Sequence, residues 1–109
     1  MSRFAETLDR LAATIAARKG ADPSSSYTAK LLGEGVERLA KKFGEEAVET
    51  VIAAASRDKD ALAAESADLI YHWLVLLSSV NVSLDEVAAK LAAREGTSGI
   101  TEKVSRKDS

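Results

Sequence analysis

Residues 59–80 constrain the rest of the chain more than any other stretch. Leu62, Leu69, Ile70, Trp73, Leu74, Leu76 and Leu77 cover most of the circumference of a helix drawn through them. A helix that is apolar on nearly every side must be surrounded by others, so this one is expected at the centre. Its few polar residues are aligned: Glu65, Asp68 and His72 stand at i, i+3 and i+7, on one line. Burying unpaired carboxylates costs several kcal/mol each or forces them to protonate. Something must offset that charge, and a cation is the simplest candidate.

The same spacing recurs upstream. In Lys41-Lys42-Phe43-Gly44-Glu45-Glu46-Ala47-Val48-Glu49, Glu46 and Glu49 are also three apart. A helix over 36–56 carries one apolar stripe of Val36, Leu39, Ala40, Phe43, Ala47 and Ala54, and a second sector of Val48 and Ile52. Between them run Lys42, Glu45, Glu46 and Glu49, a narrow acidic strip flanked by apolar side chains, expected to line a cleft. Two consecutive helices packed with these pairs facing would gather four carboxylates. That is a donor set for a hard divalent cation, which prefers oxygen and commonly arrives with phosphate.

The remaining segments fill in a helical protein. Phe4, Leu8, Leu11 and Ile15 predict a first helix over 3–19, with Ser2 as cap and Gly20 as stop. Gly20 to Ser26 is turn chemistry, and a short helix over 27–33 follows, capped by Ser25 or Ser26. Gly33 and Gly35 mark a bend, and residues 57–60 a turn. Ser83-Leu84-Asp85-Glu86 is a capping box opening a last helix to about Arg94, and Gly96 stops it. The expectation is an all-α bundle of four main helices over residues 1–96, with a polar tail over 97–109 carrying Ile100 and Val104. So small a chain has too few partners to cover residues 59–80, so the bundle is expected to be completed by dimerisation.

Composition excludes several classes. A net charge of −2 gives no basic footprint, so nucleic acid is not an expected partner. The longest apolar run, Leu69–Leu77, is too short for a bilayer, and Met1-Ser2-Arg3 opens no signal peptide; a cytoplasmic protein without membrane association is expected. There is no cysteine, so thiolate sites are absent.

With Mg²⁺ (or Mn²⁺) among them, the four acids would hold a cation able to bridge phosphate oxygens and activate water, the equipment for phosphoanhydride hydrolysis. Glu45 stands at i, i+4 to Glu49, as a further ligand or as a general base. The plainer reading is that Glu46 and Glu49, taken alone, are ordinary solvated surface. The second pair, on an otherwise apolar helix, argues for a site. Lys41 and Lys42 fit phosphate binding or surface ion pairing equally well. His72 suits a hydrogen-bonded supporting role, and Trp73 and Phe43 suit the core. A di-iron bundle needs Glu-x-x-His, and His72 is at the wrong offset from both acids.

The Glu-x-x-Glu and Glu-x-x-Asp pairs resemble those of the MazG-like all-α nucleotide pyrophosphohydrolases. Three segments narrow the resemblance: Ser26-Tyr27-Thr28-Ala29-Lys30-Leu31-Leu32, Lys41 through Glu49, and Ala67-Asp68-Leu69-Ile70-Tyr71-His72-Trp73-Leu74-Val75-Leu76-Leu77. Together they resemble the phosphoribosyl-ATP pyrophosphohydrolase family over residues 4–106. The resemblance implies hydrolysis of 1-(5-phosphoribosyl)-ATP to phosphoribosyl-AMP and pyrophosphate, the second step of histidine biosynthesis, by a Mg²⁺-dependent homodimer. It implies Glu46, Glu49, Glu65 and Asp68 as metal ligands with Glu45 beside them, and Lys30, Lys42 and Arg94 toward the substrate. The lack of cysteine sets the chain apart from fusions with a zinc cyclohydrolase. One rival is a MazG-like house-cleaning enzyme acting on nucleoside triphosphates. The other is a non-catalytic helical dimerisation module.

Overall fold

The computed structural model describes residues 2–96, and all regular structure among them is helical: α1 Arg3–Ala17, α2 Tyr27–Gly33, α3 Val36–Ala55, α4 Lys59–Ser79 and α5 Leu84–Ala92. The expected all-α bundle of four main helices with one short helix is what forms. The tail and the division at residue 96 lie outside the described residues.

Side-chain caps set most of the boundaries. Ser2, Ser26, Asp58 and Ser83 each accept a hydrogen bond from the backbone N–H three residues on, at 3.0–3.2 Å, satisfying a donor that the helix itself leaves unpaired. At Ser83 the box is closed, because Glu86 Oε2 accepts from the Ser83 N–H at 2.7 Å. Gly35 precedes α3 with φ +93°, a conformation open to glycine at little cost. Arg57 and Asn81, at φ +58° and +59°, adopt the same left-handed region after α3 and α4. The Asp58 and Val82 N–H groups then return to the Ala53 and Leu77 carbonyls, closing each helix in the Schellman manner.

α3 and α4 form a long antiparallel hairpin, against which α1 and α2 pack at the C-terminal half of α4. Ile15, Leu31, Leu39, Leu74 and Val75 are fully buried there. α5 turns away from α4 by 110°, with Leu84 packed against the core. The Tyr71 hydroxyl and Thr28 Oγ1 share a hydrogen bond of 2.6 Å that ties α2 to α4. No single described helix is long and apolar enough to cross a membrane.

Two sequence expectations are corrected. The inward line of α3 is Leu39, Phe43, Glu46, Thr50 and Ala53, while Val36, Ala40 and Ala54 are exposed. Steps of four and three residues keep a side chain facing a neighbouring helix, and that seam passes through polar positions that an apolar stripe overlooks. α4 is enclosed only over Leu69–Ser79, where no residue is exposed; Ala63, Ala64, Ala67 and Asp68 face outward. α1 and α2 cover only one half of its length. At the other half the outward side chains of α3, Val48, Val51 and Ile52, are 58–66% exposed.

Candidate active site

Where the hairpin is only two helices thick, the seam of α3 presents Glu46 and α4 presents Glu65. Glu49 stands one turn beyond Glu46. One carboxylate oxygen from each of the three lies within 4.8 Å of the other two. Glu46 and Glu65 are half-buried and Glu49 exposed, and the Oε2 atoms of Glu46 and Glu65 are buried with no hydrogen-bond partner. Orphaned carboxylate oxygens are costly, and several converging on one point imply a positive counterpart.

Glu65 records the strain. Its pKa is raised, first because it shares a hydrogen bond with the Glu49 carboxylate, then by burial, then by the charges of Glu49, Asp68 and Glu46. Asp68 is thus close enough to be felt, although it is exposed and lies outside the cluster of three. Beneath the acids, Thr50 Oγ1 donates to the Glu46 carbonyl at 2.8 Å and approaches the Glu65 carbonyl at 3.4 Å. The sequence reading assigned nothing to Thr50; its place one turn after Glu46 was the available signal. A cavity of about 290 Å³ opens beside the cluster, walled by Glu49, Ile52, Ala53, Ser56, Ala61 and Glu65.

The donor set fits a hard cation. Three carboxylates offering oxygens within 4.8 Å of one another are oxygen donors of the kind hard divalent cations prefer.

The other candidate residues are distributed as follows. Glu45 is exposed next to Glu46, Lys42 is half-buried one turn earlier on α3, and Lys30 is exposed on α2. Arg94 follows α5, beyond the end of α4 that is remote from Glu65. His72 is buried, and its Nδ1 lies 2.7 Å from the Asp68 carbonyl. Since a carbonyl only accepts, Nδ1 carries the proton. Nε2 is left buried and unpaired.

This placement of acids on a helical hairpin coincides with a match across most of the chain. The sequence profile described as phosphoribosyl-ATP pyrophosphohydrolase matches residues 8–95. The chain belongs to the phosphoribosyl-ATP pyrophosphohydrolase family. It is 67% identical over 106 residues to the phosphoribosyl-ATP pyrophosphatase of Caulobacter sp. (strain K31), covering 97% of this chain and 98% of that protein. It is 68% identical over 104 residues to that of Caulobacter vibrioides (strain NA1000 / CB15N), covering 95% and 96%. With the protein of the same name from Parvibaculum lavamentivorans the identity is 59% over 106 residues, covering 97% of each. The matched span includes Glu45, Glu46, Glu49, Glu65 and Asp68, together with Lys30, Lys42 and Arg94.

Proposed function

We propose that this chain hydrolyses 1-(5-phosphoribosyl)-ATP to 1-(5-phosphoribosyl)-AMP and pyrophosphate in histidine biosynthesis, with Mg²⁺ held by Glu46, Glu49, Glu65 and Asp68. Family membership supports the substrate. The observation that carries the chemistry is the pair of buried, unpartnered carboxylate oxygens on Glu46 and Glu65, with Glu49 within reach of both. These residues would hold Mg²⁺ (or Mn²⁺), which would supply positive charge to neutralise the phosphates. Asp68, exposed one turn past Glu65, would add a fourth carboxylate to that set.

The protein's own part is positioning and proton transfer. Water adds to one phosphorus of the α–β anhydride, the bond from that phosphorus to the bridging oxygen breaks, and the bridging oxygen departs with the other phosphorus, giving phosphoribosyl-AMP and pyrophosphate. Glu45, exposed beside the ligands, accepts the proton released by the water. Lys42 and Lys30 hold the polyphosphate, and Arg94, the most remote of the three, reaches for its outer charge. Exposed Val48, Val51 and Ile52 form the face through which two chains pair as a homodimer.

The test is pyrophosphate release from phosphoribosyl-ATP beside a panel of nucleoside triphosphates, with and without Mg²⁺. Turnover of phosphoribosyl-ATP far above the panel and abolished by chelation is expected. Preference for a plain triphosphate would replace this reading with the house-cleaning one. No turnover of any nucleotide would leave a helical module without chemistry.

A further inference from the structure

Glu46 and Glu65 reach one another from different helices, so the gap between their carboxylates is set by the gap between α3 and α4. At this end no third helix clamps the pair, since α1 and α2 lie against the other half of α4. The seam beyond Thr50 is alanine, Ala53 on α3 and Ala61 on α4, both walls of the adjoining cavity. Small side chains allow a close approach and set no spacing of their own. Ionised carboxylates brought together meanwhile push the two helices apart.

The Thr50 hydroxyl spans that gap. It donates to the Glu46 carbonyl at 2.8 Å and stands 3.4 Å from the Glu65 carbonyl. The first contact is ordinary by itself: Thr7 and Thr14 make the same bond to the carbonyl four residues back, a common habit of hydroxyls in helices. Those two are exposed, and the bond stays within α1. Thr50 is half-buried, and its oxygen meets the main chain of a second helix. The two carbonyls it meets belong to the two residues whose carboxylates each bury an oxygen without a partner. A carbonyl only accepts, so the single proton of the hydroxyl lies between two acceptors, one on each helix.

We propose that Thr50 is a positioning residue for the acid cluster: its hydroxyl, between the Glu46 and Glu65 main-chain carbonyls, sets the gap across which the two carboxylates would grip a divalent cation, a role that rests on the cation reading of those acids. Each carbonyl also lies inside its helix, where it accepts the N–H four residues on. Removing the hydroxyl therefore orphans no main-chain group, and the fold does not depend on it. What is lost is the tie between helices, which then yield to the repulsion of their acids and carry the oxygens out of reach of one ion.

The probe is Mn²⁺ alone, titrated into the full chain without nucleotide and followed by loss of the free-ion EPR signal. Thr50→Val keeps the branched shape and deletes the hydroxyl, Thr50→Ser keeps the hydroxyl, and Thr14→Val deletes a hydroxyl with the same bond on α1. Mn²⁺ affinity weaker by about tenfold or more is expected in Thr50→Val, the scale for groups that orient metal ligands. Thr50→Ser and Thr14→Val should bind as the wild type does. The Tm of cation-free Thr50→Val should lie within about 5 °C of the wild type, the shift that one hydrogen bond supports. In turnover of phosphoribosyl-ATP, the Mg²⁺ concentration giving half the maximal rate should rise about tenfold in Thr50→Val, with the KM for the nucleotide little changed. Equal Mn²⁺ affinity in Thr50→Val and the wild type overturns the proposal and leaves the cation site standing. Weakening in Thr50→Ser as large as in Thr50→Val also overturns it, because the effect then belongs to shape and not to the hydroxyl. No Mn²⁺ bound by the wild type removes the cation reading itself, and this role for Thr50 with it.

Discussion

The two ends of the α3–α4 hairpin are made by the same two helices and reach opposite solutions. Around Leu39, Leu74 and Val75, α1 and α2 close over the pair, and side chains there are almost wholly excluded from water. Around Glu46 and Glu65 the hairpin stands alone, its outer valines and isoleucine exposed and its seam occupied by two acids that each bury an oxygen without a hydrogen-bond partner. Apolar residues are plentiful at both ends, so composition does not separate them. What separates them is how many helices cover each end. The thick end can be stable without help. The thin end keeps its acids near water, where a cation and a polyanion can enter, and leaves its apolar exterior for another surface.

This contrast predicts that damage to the two ends is of different kinds. At the thin end, Glu46→Gln and Glu65→Gln should each lower turnover by about 10²–10³-fold, since several kcal/mol of charge stabilisation are removed from the reaction. Unfolding in urea without divalent cation should show stability unchanged or raised, because one member of a repelling group has been neutralised. A variant that unfolds in step with its loss of turnover would mean that the acids are structural.

At the thick end, Leu39→Ala should do the reverse. Leu39 is 2% exposed, and truncating such a leucine costs about 2–5 kcal/mol, according to how far the neighbours collapse. Turnover per folded molecule should stay within about twofold, a difference of only a few tenths of a kcal/mol. Urea denaturation and active-site titration with Mg²⁺ and substrate separate the two quantities.

How much of this division was legible in the sequence follows from what kind of signal each end emits. The helices were legible because their caps are local: Ser2, Ser26, Asp58 and Ser83 act on backbone three residues away, and no tertiary knowledge is needed to see them. The pairing of Glu46 and Glu49 with Glu65 was legible because i, i+3 spacing survives any packing. The seam was not. Val36, Ala40 and Ala54 have the hydropathy of core residues, yet they face outward, while Thr50 and half of Lys42 face in. Which side of α3 meets α4 is decided by the partner's shape, and one chain's hydropathy does not encode it. Asp68 is the sharpest case. Its helix reads as buried all round, but α1 and α2 stop short of it, so it is exposed while Glu65, one turn earlier, is not.

Divalent cation should sharpen the contrast further. Binding only to the folded form stabilises by about 2.7 kcal/mol when the ion is at a hundred times its dissociation constant. Thermal unfolding with and without Mg²⁺ should therefore show a rise in Tm for the wild type and for Leu39→Ala, and none for Glu46→Gln. A rise in all three would place the ion elsewhere on the protein.

The smallest predicted effect compares two glutamates, one from each region, whose carboxyls are displaced in opposite directions from an ordinary 4.5. Glu65 is raised by its hydrogen bond with Glu49, by burial and by neighbouring negative charge. Its contribution to stability is therefore complete below 4.5 and is lost as pH rises through its folded value. Glu86 is lowered by the Ser83 N–H it accepts from, and by the Ser83 side chain. Its contribution is present above 4.5 and fades as pH falls through its folded value. Stability measured without divalent cation from about pH 4 to 7 should then show Glu65→Gln gaining on the wild type as pH rises. Glu86→Gln should fall behind over the same range. Adding Mg²⁺ converts the repulsion around Glu65 into attraction, so the first trend should reverse and the second should not move. Parallel trends, or a Mg²⁺ effect on Glu86→Gln alone, would mean that the charge imbalance of the thin end is not what the cation relieves.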